Sequence, residues 1–230
     1  MQTTSPSASG QQQALRRVVI AVDGPAAAGK GTLAAALAAS LGLPYLDTGL
    51  LYRAVARRML DAGLDPADDA TEAAAGLTAD DLLRRDLRTP EVDRGASRVA
   101  AQPGVRAALL AFQRQFGHAN GAVLDGRDIG TVIFPDAPVK LFVTASAWRR
   151  AERRWLQSGG APDLDAGQRR QAIARIEAEL AARDAADATR ATAPLRPAAD
   201  AILIDTDDLD ADAVLARALA LVRERLQASG

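Results

Sequence analysis

A chain of 230 residues with 48% hydrophobic and 25% charged side chains can bury one compact α/β core with small appendages, and this composition excludes fibrous and wholly disordered classes. The 28 basic and 29 acidic residues leave a net charge of −1, so no bulk field draws the chain to nucleic acid or an anionic membrane, and any anionic ligand must be held by local groups. With no cysteine and one histidine, disulfides, thiolate metal sites and cysteine nucleophiles are excluded, and little remains for a histidine metal centre or triad.

No stretch approaches the ~20 apolar residues that span a bilayer, and the N-terminus lacks the basic segment and apolar run of a signal peptide. The cytoplasm is therefore the default, no nucleic-acid or membrane partner is expected, and a monomer is the expectation although the sequence does not fix the oligomeric state. Residues 1–15 are polar, Ser/Gln-rich and aperiodic, and read as a disordered leader. Residues 17–23 (RVVIAVD) form a short β-branched run that stops at Gly24-Pro25, a buried strand. From Lys30 the pattern turns helical, with Leu33, Leu37 and Leu41 at fourfold spacing and Gly42 as C-cap.

Residues 44–46 give a second strand, followed by a helix from Thr48 with the apolar stripe Leu51, Val55 and Met59 and with Arg53 roughly opposite. Residues 61–95, punctuated by Gly and Pro, are expected to form a mobile insert with short helices. Val105, Leu109, Phe112 and Phe116 mark another amphipathic helix after Pro103-Gly104. Strands at 121–125 (GAVLD), 138–144 (PVKLFVT) and 201–205 (AILID), with a helix from Ser146 and another at the C-terminus, complete the series. Five short strands alternating with helices predict an α/β fold, a mostly parallel sheet covered on both faces, with ligands outside the carboxyl ends of the strands.

The segment Gly24, Pro25, Ala26, Ala27, Ala28, Gly29, Lys30, Gly31, Thr32 runs from the end of a strand into a helix, the context in which a glycine-rich loop cradles phosphates. Its glycines permit turns that expose successive N–H groups, and the helix start adds a positive dipole end. Lys30 can reach between β- and γ-phosphates, and a hydroxyl at the helix start can ligate Mg²⁺. Gly31 stands where the strict pattern has Ser or Thr, and Thr32 follows it; Lys-Gly-Thr resembles the variant of nucleoside monophosphate kinases. Asp125, ending a strand, is a candidate second Mg²⁺ ligand or acid that only opens a turn. ATP binding is the expectation these residues carry.

A phosphorylated acceptor would need guanidinium forks to hold its phosphate in line and spread transition-state charge. Arg53, Arg106, Arg127, Arg183 and Arg190 are available, near strand ends or in the insert and in the Arg-rich stretch 158–197. Lysine is confined to Lys30 and Lys140, and His118 and Lys140 read as structural.

Five ordered segments carry a resemblance: GPAAAGKGT, LDTGLLYR (46–53), ASRVAAQPGVRAAL (96–109), LDGRDIGTVIFPDAPVKLF (124–142) and RDAADATRATAPLRPAADA (183–201). Together they resemble bacterial cytidylate kinases. The resemblance implies a single kinase domain at 16–228, with a core (16–47, 118–157, 198–228), a monophosphate-binding region at 48–117 and a lid at 158–197. It further implies transfer of the ATP γ-phosphate to CMP or dCMP with Mg²⁺, with catalytic roles for Lys30, Arg127, Arg183 and Arg190. Arg53, Arg127 and Arg190 would clamp the CMP phosphate beside Thr48 and Tyr52. Ser97, Arg106 and Asp128 would read cytosine, Asp187 would contact the sugar and Arg183 would share its face. Arg183, Asp187 and Arg190, at i, i+4 and i+7, would lie on one helical face. The insert from Gly63 to Arg88 departs from that family's β-containing insert, being short and without a hairpin signal in LTADDLLRRDLR. Neighbouring expectations are a UMP or AMP kinase and, from another class, a nucleotide-dependent regulatory switch.

Overall fold

In a computed structural model, residues 18–160 and 163–228 are described. The expected leader at 1–15 lies outside them, as do residues 161–162 of the expected lid. Strand β1 (Val19–Asp23) leads to α1 (Lys30–Leu41), β2 (Tyr45–Asp47) and α2 (Thr48–Asp61). The insert is helical: α3 (Thr71–Ala75), α4 (Ala79–Leu82), α5 (Pro90–Ala100) and α6 (Pro103–Asn120), with no strand among its described residues. The chain continues through β3 (Ala122–Gly126), a π-helical turn (Ile129–Ile133), β4 (Val139–Thr144), α7 (Ala147–Gln157), α8 (Ala166–Thr189), β5 (Ile202–Asp205) and α9 (Ala211–Ala228).

The sheet has the order β2-β3-β1-β4-β5 and every pairing is parallel, as the strand–helix alternation predicts. Side chains alternate along β1, so Ile20 and Val22 enter one core with Leu37, Val143, Val214 and Val222, while Val19 and Ala21 enter the other with Leu46, Leu124, Ile133 and Phe134. Burial on both faces explains why the strand sequences run apolar rather than alternating with polar residues. Helix α1 stops where Gly42, at φ +65, turns its N–H back onto the Ala38 and Ala39 carbonyls.

Two further apolar clusters place the site. One, in the monophosphate-binding region, joins Leu51, Val55 and Met59 of α2 to Val92 and Val99 of α5 and to Val105 and Leu109 of α6. Phe112 departs from the expected stripe: it is 44% exposed, because α6 turns that position outward toward Phe116, 6.4 Å away between ring centroids. The other gathers Ala26, Ala151, Ile173 and Leu180, and sets α8 against α7 and the loop after β1. His118 is a helix-end residue packed edge-on to Phe134 at 5.2 Å, and the Lys140 ammonium binds Asp200 at 2.9 Å and the Pro135 carbonyl, so both are structural.

Candidate active site

The carboxyl ends of all the strands open on one side, and the loop Gly24–Gly29 crosses the middle of that edge. Gly24 sits at φ +152, and a Cβ there would lie 2.1 Å from the Val143 carbonyl oxygen, so only glycine lets the chain leave β1 over β4. Ala27 holds φ 59, a left-handed conformation costly for a side chain with a Cβ, and Gly29 at φ 87 caps α1. The loop is braced from outside: Thr206 donates to the Ala28 carbonyl at 3.3 Å, and Arg150 to the Ala26 carbonyl at 3.0 Å. The Ala26 N–H, expected to face phosphate with its neighbours, instead donates to Asp184 Oδ1 at 3.2 Å. Lys30 opens α1, where burial and the nearby Arg127 guanidinium pull its ammonium down to about 7.

At the end of β3, Asp125 is buried, and burial raises its carboxyl above the usual range. Its Oδ1 accepts from the Tyr45 hydroxyl at 2.8 Å, while its Oδ2 faces the loop, 3.6 Å from where a Cβ on Gly31 would sit. Thr32 is exposed, and no hydrogen bond links it to Asp125. Thr48 is buried with its hydroxyl donating to the Asp125 carbonyl at 2.8 Å, an approach that a Cβ on Gly126 would block.

Beyond β3 the chain makes the π turn, closed by Ile133 N–H to Asp128 C=O at 3.2 Å and Phe134 N–H to Ile129 C=O at 2.7 Å. Asp23, the last residue of β1, accepts from the Ile129 and Gly130 amides at 2.8 and 2.7 Å, and burial still pushes it up to about 7. This clamp fixes Arg127 and Asp128 just ahead of the turn. Arg127 donates to Asp187 at 2.9 Å; Arg106 donates to Asp128 and to the Ala100 carbonyl, with its guanidinium carbon 5.6 Å from the Tyr52 ring centroid. Burial holds the Tyr52 hydroxyl above its usual range.

Arg190 reaches the same cluster, 3.8 Å from Asp128 and 3.7 Å from Asp187, with its Nε on the Ala193 carbonyl at 2.8 Å. It does not share a helical face with Arg183 and Asp187: α8 ends at Thr189, and Arg190 is extended at φ −63, ψ 142. The chain then doubles back, Leu195 N–H meeting the Asp187 carbonyl at 2.8 Å, and tertiary contact restores the convergence that helical spacing suggested. Two buried donors, Arg183 Nε and Arg190 Nη2, have no hydrogen-bond partner. The Arg183 side chain makes no ion pair or hydrogen bond among the described residues, and burial and Arg127 hold its pKa below the usual range. Buried guanidinium donors left without a hydrogen-bond partner suit phosphate oxygens.

Arg53 donates to Asp93 at 2.8 Å, and Arg154 donates to the other oxygen of Asp93 at 2.6 Å. Burial opposes the charge of Asp93, yet Arg53, Arg183 and Arg154 hold its carboxyl below the usual range. Ser97, one turn on, donates only to the Asp93 carbonyl, at 3.4 Å. The structure thus brings together Lys30, Arg53, Arg106, Arg127, Asp128, Arg183, Asp187 and Arg190, and leaves Ser97 and Thr32 at the margin. Sequence reasoning missed Asp23, Asp93 and Asp184. Asp23 carried a signal, since an acid ending a buried strand had singled out Asp125; Asp93 and Asp184 carried none, being two acids among 29.

Among the described residues no helix is long and apolar enough to cross a membrane. Comparison with known proteins agrees with the geometry. The family profile for cytidylate kinase matches residues 20–224. A cytidylate kinase of Acidiphilium cryptum (strain JF-5) is 60% identical over 216 residues, covering 92% of this chain and 98% of that protein. One from Granulibacter bethesdensis (strain ATCC BAA-1260 / CGDNIH1) is 59% identical over 214 residues, covering 91% and 98%. The crystal structure of an uncharacterized protein from Eubacterium ventriosum ATCC 27560 shares the fold, with a TM-score of 0.51 at 14% identity, covering 90% of this chain and 98% of that one. A glycine loop between strand and helix, a guanidinium cluster with unpartnered donors, and an aspartate–arginine pair against a tyrosine are therefore features of a chain that belongs to the cytidylate kinase family.

Proposed function

We propose that the protein transfers the γ-phosphate of ATP to CMP or dCMP, giving ADP and CDP or dCDP. The observation that carries the acceptor is the buried Arg106–Asp128 pair beside Tyr52, with the Arg190 guanidinium 3.8 Å from Asp128. A carboxylate can accept from the exocyclic amino group of cytosine while a guanidinium donates to the ring carbonyl, and uracil lacks that amino donor. Arg53, Arg127 and Arg190 would take the acceptor phosphate, with Asp187 toward the sugar. Lys30 and the free amides of the loop would take the donor phosphates, and Arg183, lying near both, would spread charge in the transition state.

No general base is required. A phosphate monoester has its second pKa near ~6, so the acceptor oxygen is already anionic at neutral pH, and catalysis reduces to alignment, charge neutralisation and exclusion of water. Magnesium suits Asp125, which presents a buried carboxylate oxygen toward the loop, whereas Thr32, exposed and without a bond to Asp125, adds only its place at the helix start. A bound Mg²⁺ would neutralise charge across the β- and γ-phosphates. The test is steady-state turnover of CMP, dCMP, UMP and AMP with ATP. CMP or dCMP should be preferred; preference for AMP, or ATP hydrolysis with no CDP formed, overturns the reading.

A further inference from the structure

Helix α8 carries the apolar row Ile173, Ile176 and Leu180, spaced to face one side, and this row packs on Ala151 of α7 and on Ala26 of the phosphate loop. The next place in the row is Asp184, one turn beyond Leu180. Where an apolar residue would continue the contact, a carboxylate meets the loop instead. Its Oδ1 accepts from the Ala26 N–H at 3.2 Å, and its Oδ2 pairs with Arg150. Arg150 in turn donates to the carbonyls of Ala26, at 3.0 Å, and Ala145, at 3.1 Å. Ala26 is thus gripped at its side chain, its N–H and its carbonyl by groups from α7 and α8.

Resting on the kinase reading above, we propose that Asp184 is a positioning residue that locks α8 onto the phosphate loop and so holds its sequence neighbour Arg183 at the transfer point. The need for such a lock is electrostatic. Arg183 lies beside Arg127 and Arg53, and its charge is also felt at Lys30, so in the absence of phosphate the cluster repels it. Asp187 and Asp93 offset this in part, but neither bonds to Arg183. The two bonds of Asp184, on the adjoining row of α8, anchor the helix to the loop and so oppose that repulsion. The lock also engages the loop itself, so a change in loop conformation on donor binding is transmitted to the helix that carries Arg183.

The test compares Asp184→Asn and Asp184→Ala with the unaltered protein. Asparagine can still accept from the Ala26 N–H but loses the charge that holds Arg150, whereas alanine loses both. Without any nucleotide, amide exchange across 173–189 should quicken in the order unaltered, Asn, Ala, while α5 and α6 keep their protection. In turnover, Asp184→Ala should lower kcat by about 10- to 100-fold with the KM for CMP changed little, because the Arg53–Asp93 and Arg106–Asp128 pairs are untouched. The fraction of ATP lost to water rather than to CMP should rise. Asp184→Ala/Arg150→Ala should be no worse than the poorer single variant, as for two parts of one unit. Unchanged exchange in α8, or an unchanged kcat in Asp184→Ala, overturns the proposal, as does a loss of kcat matched by an equal rise in the KM for CMP. Should the unaltered protein fail to phosphorylate CMP, the functional reading falls, and the exchange experiment still decides the lock.

Discussion

Arg106, in the acceptor half of the cleft, is bonded to Asp128 and to the Ala100 carbonyl, whereas Arg183 and Lys30, in the donor half, bond to no carboxylate among the described residues. The same contrast holds for Arg53, held by Asp93, and Arg127, held by Asp187. Arg53, Arg106 and Arg127 therefore stand held by carboxylates before any ligand arrives. The donor half holds cationic groups that nearby carboxylates offset only at a distance, without a direct bond. Such a division suits an enzyme that must discriminate one base but treats triphosphate as charge to be neutralised.

The largest expected effect breaks the contrast at Arg127, which touches both halves. Arg127→Ala should lower kcat by roughly 10²- to 10³-fold and leave ATP affinity near its starting value. A matching loss of ATP affinity would move Arg127 to the donor half. Next comes Asp128→Asn, which replaces one acceptor oxygen by a donor facing Arg106. It should reduce kcat/KM for CMP by about 10- to 100-fold and narrow the CMP-to-UMP ratio. A ratio left intact would remove Asp128 from base recognition.

The donor half has a pH signature. The ammonium of Lys30 is pulled from 10.5 down to about 7, so at pH 8 it is mostly neutral; phosphate beside it restores the charge, and ATP binding should take up close to one proton. At pH 6 the ammonium is already charged and uptake should nearly vanish. Calorimetry in buffers of differing ionisation enthalpy reads the difference, and equal uptake at both pH values would contradict the assignment. The smallest effect is on stability. Ala27→Gly relieves the left-handed strain at φ 59 and should raise stability by about 1 kcal/mol in denaturant unfolding, less what the glycine adds to unfolded-chain entropy.

Much of the scaffold was legible because its signals are local. The run from Val18 to Asp23, the glycines at 24 and 29 and the fourfold leucines of α1 lie within a few residues of one another, and each reports a backbone state that its own side chains impose. Asp23 shows the limit: its position at the end of β1 was visible, its grip on the π turn 106 residues away was not. Arg190 shows a different limit. Spacing put it on a helical face with Arg183, yet the helix stops one residue earlier and the chain folds back to reach the same cluster.

What the sequence determined by itself is the five strands in chain order, the phosphate loop, the arginines available to an acceptor phosphate and the family to which the ordered motifs point. What only the tertiary structure decided is which acid holds which base. With 29 acidic and 28 basic residues, almost any pairing is chemically allowed, and Arg53 finds Asp93 40 positions away while the Ala26 amide finds Asp184 across 158. Local pattern carries no information on such partners, because charge pairing depends on distance in space, and that distance exists only once the sheet has brought its carboxyl ends together and α8 has packed across them.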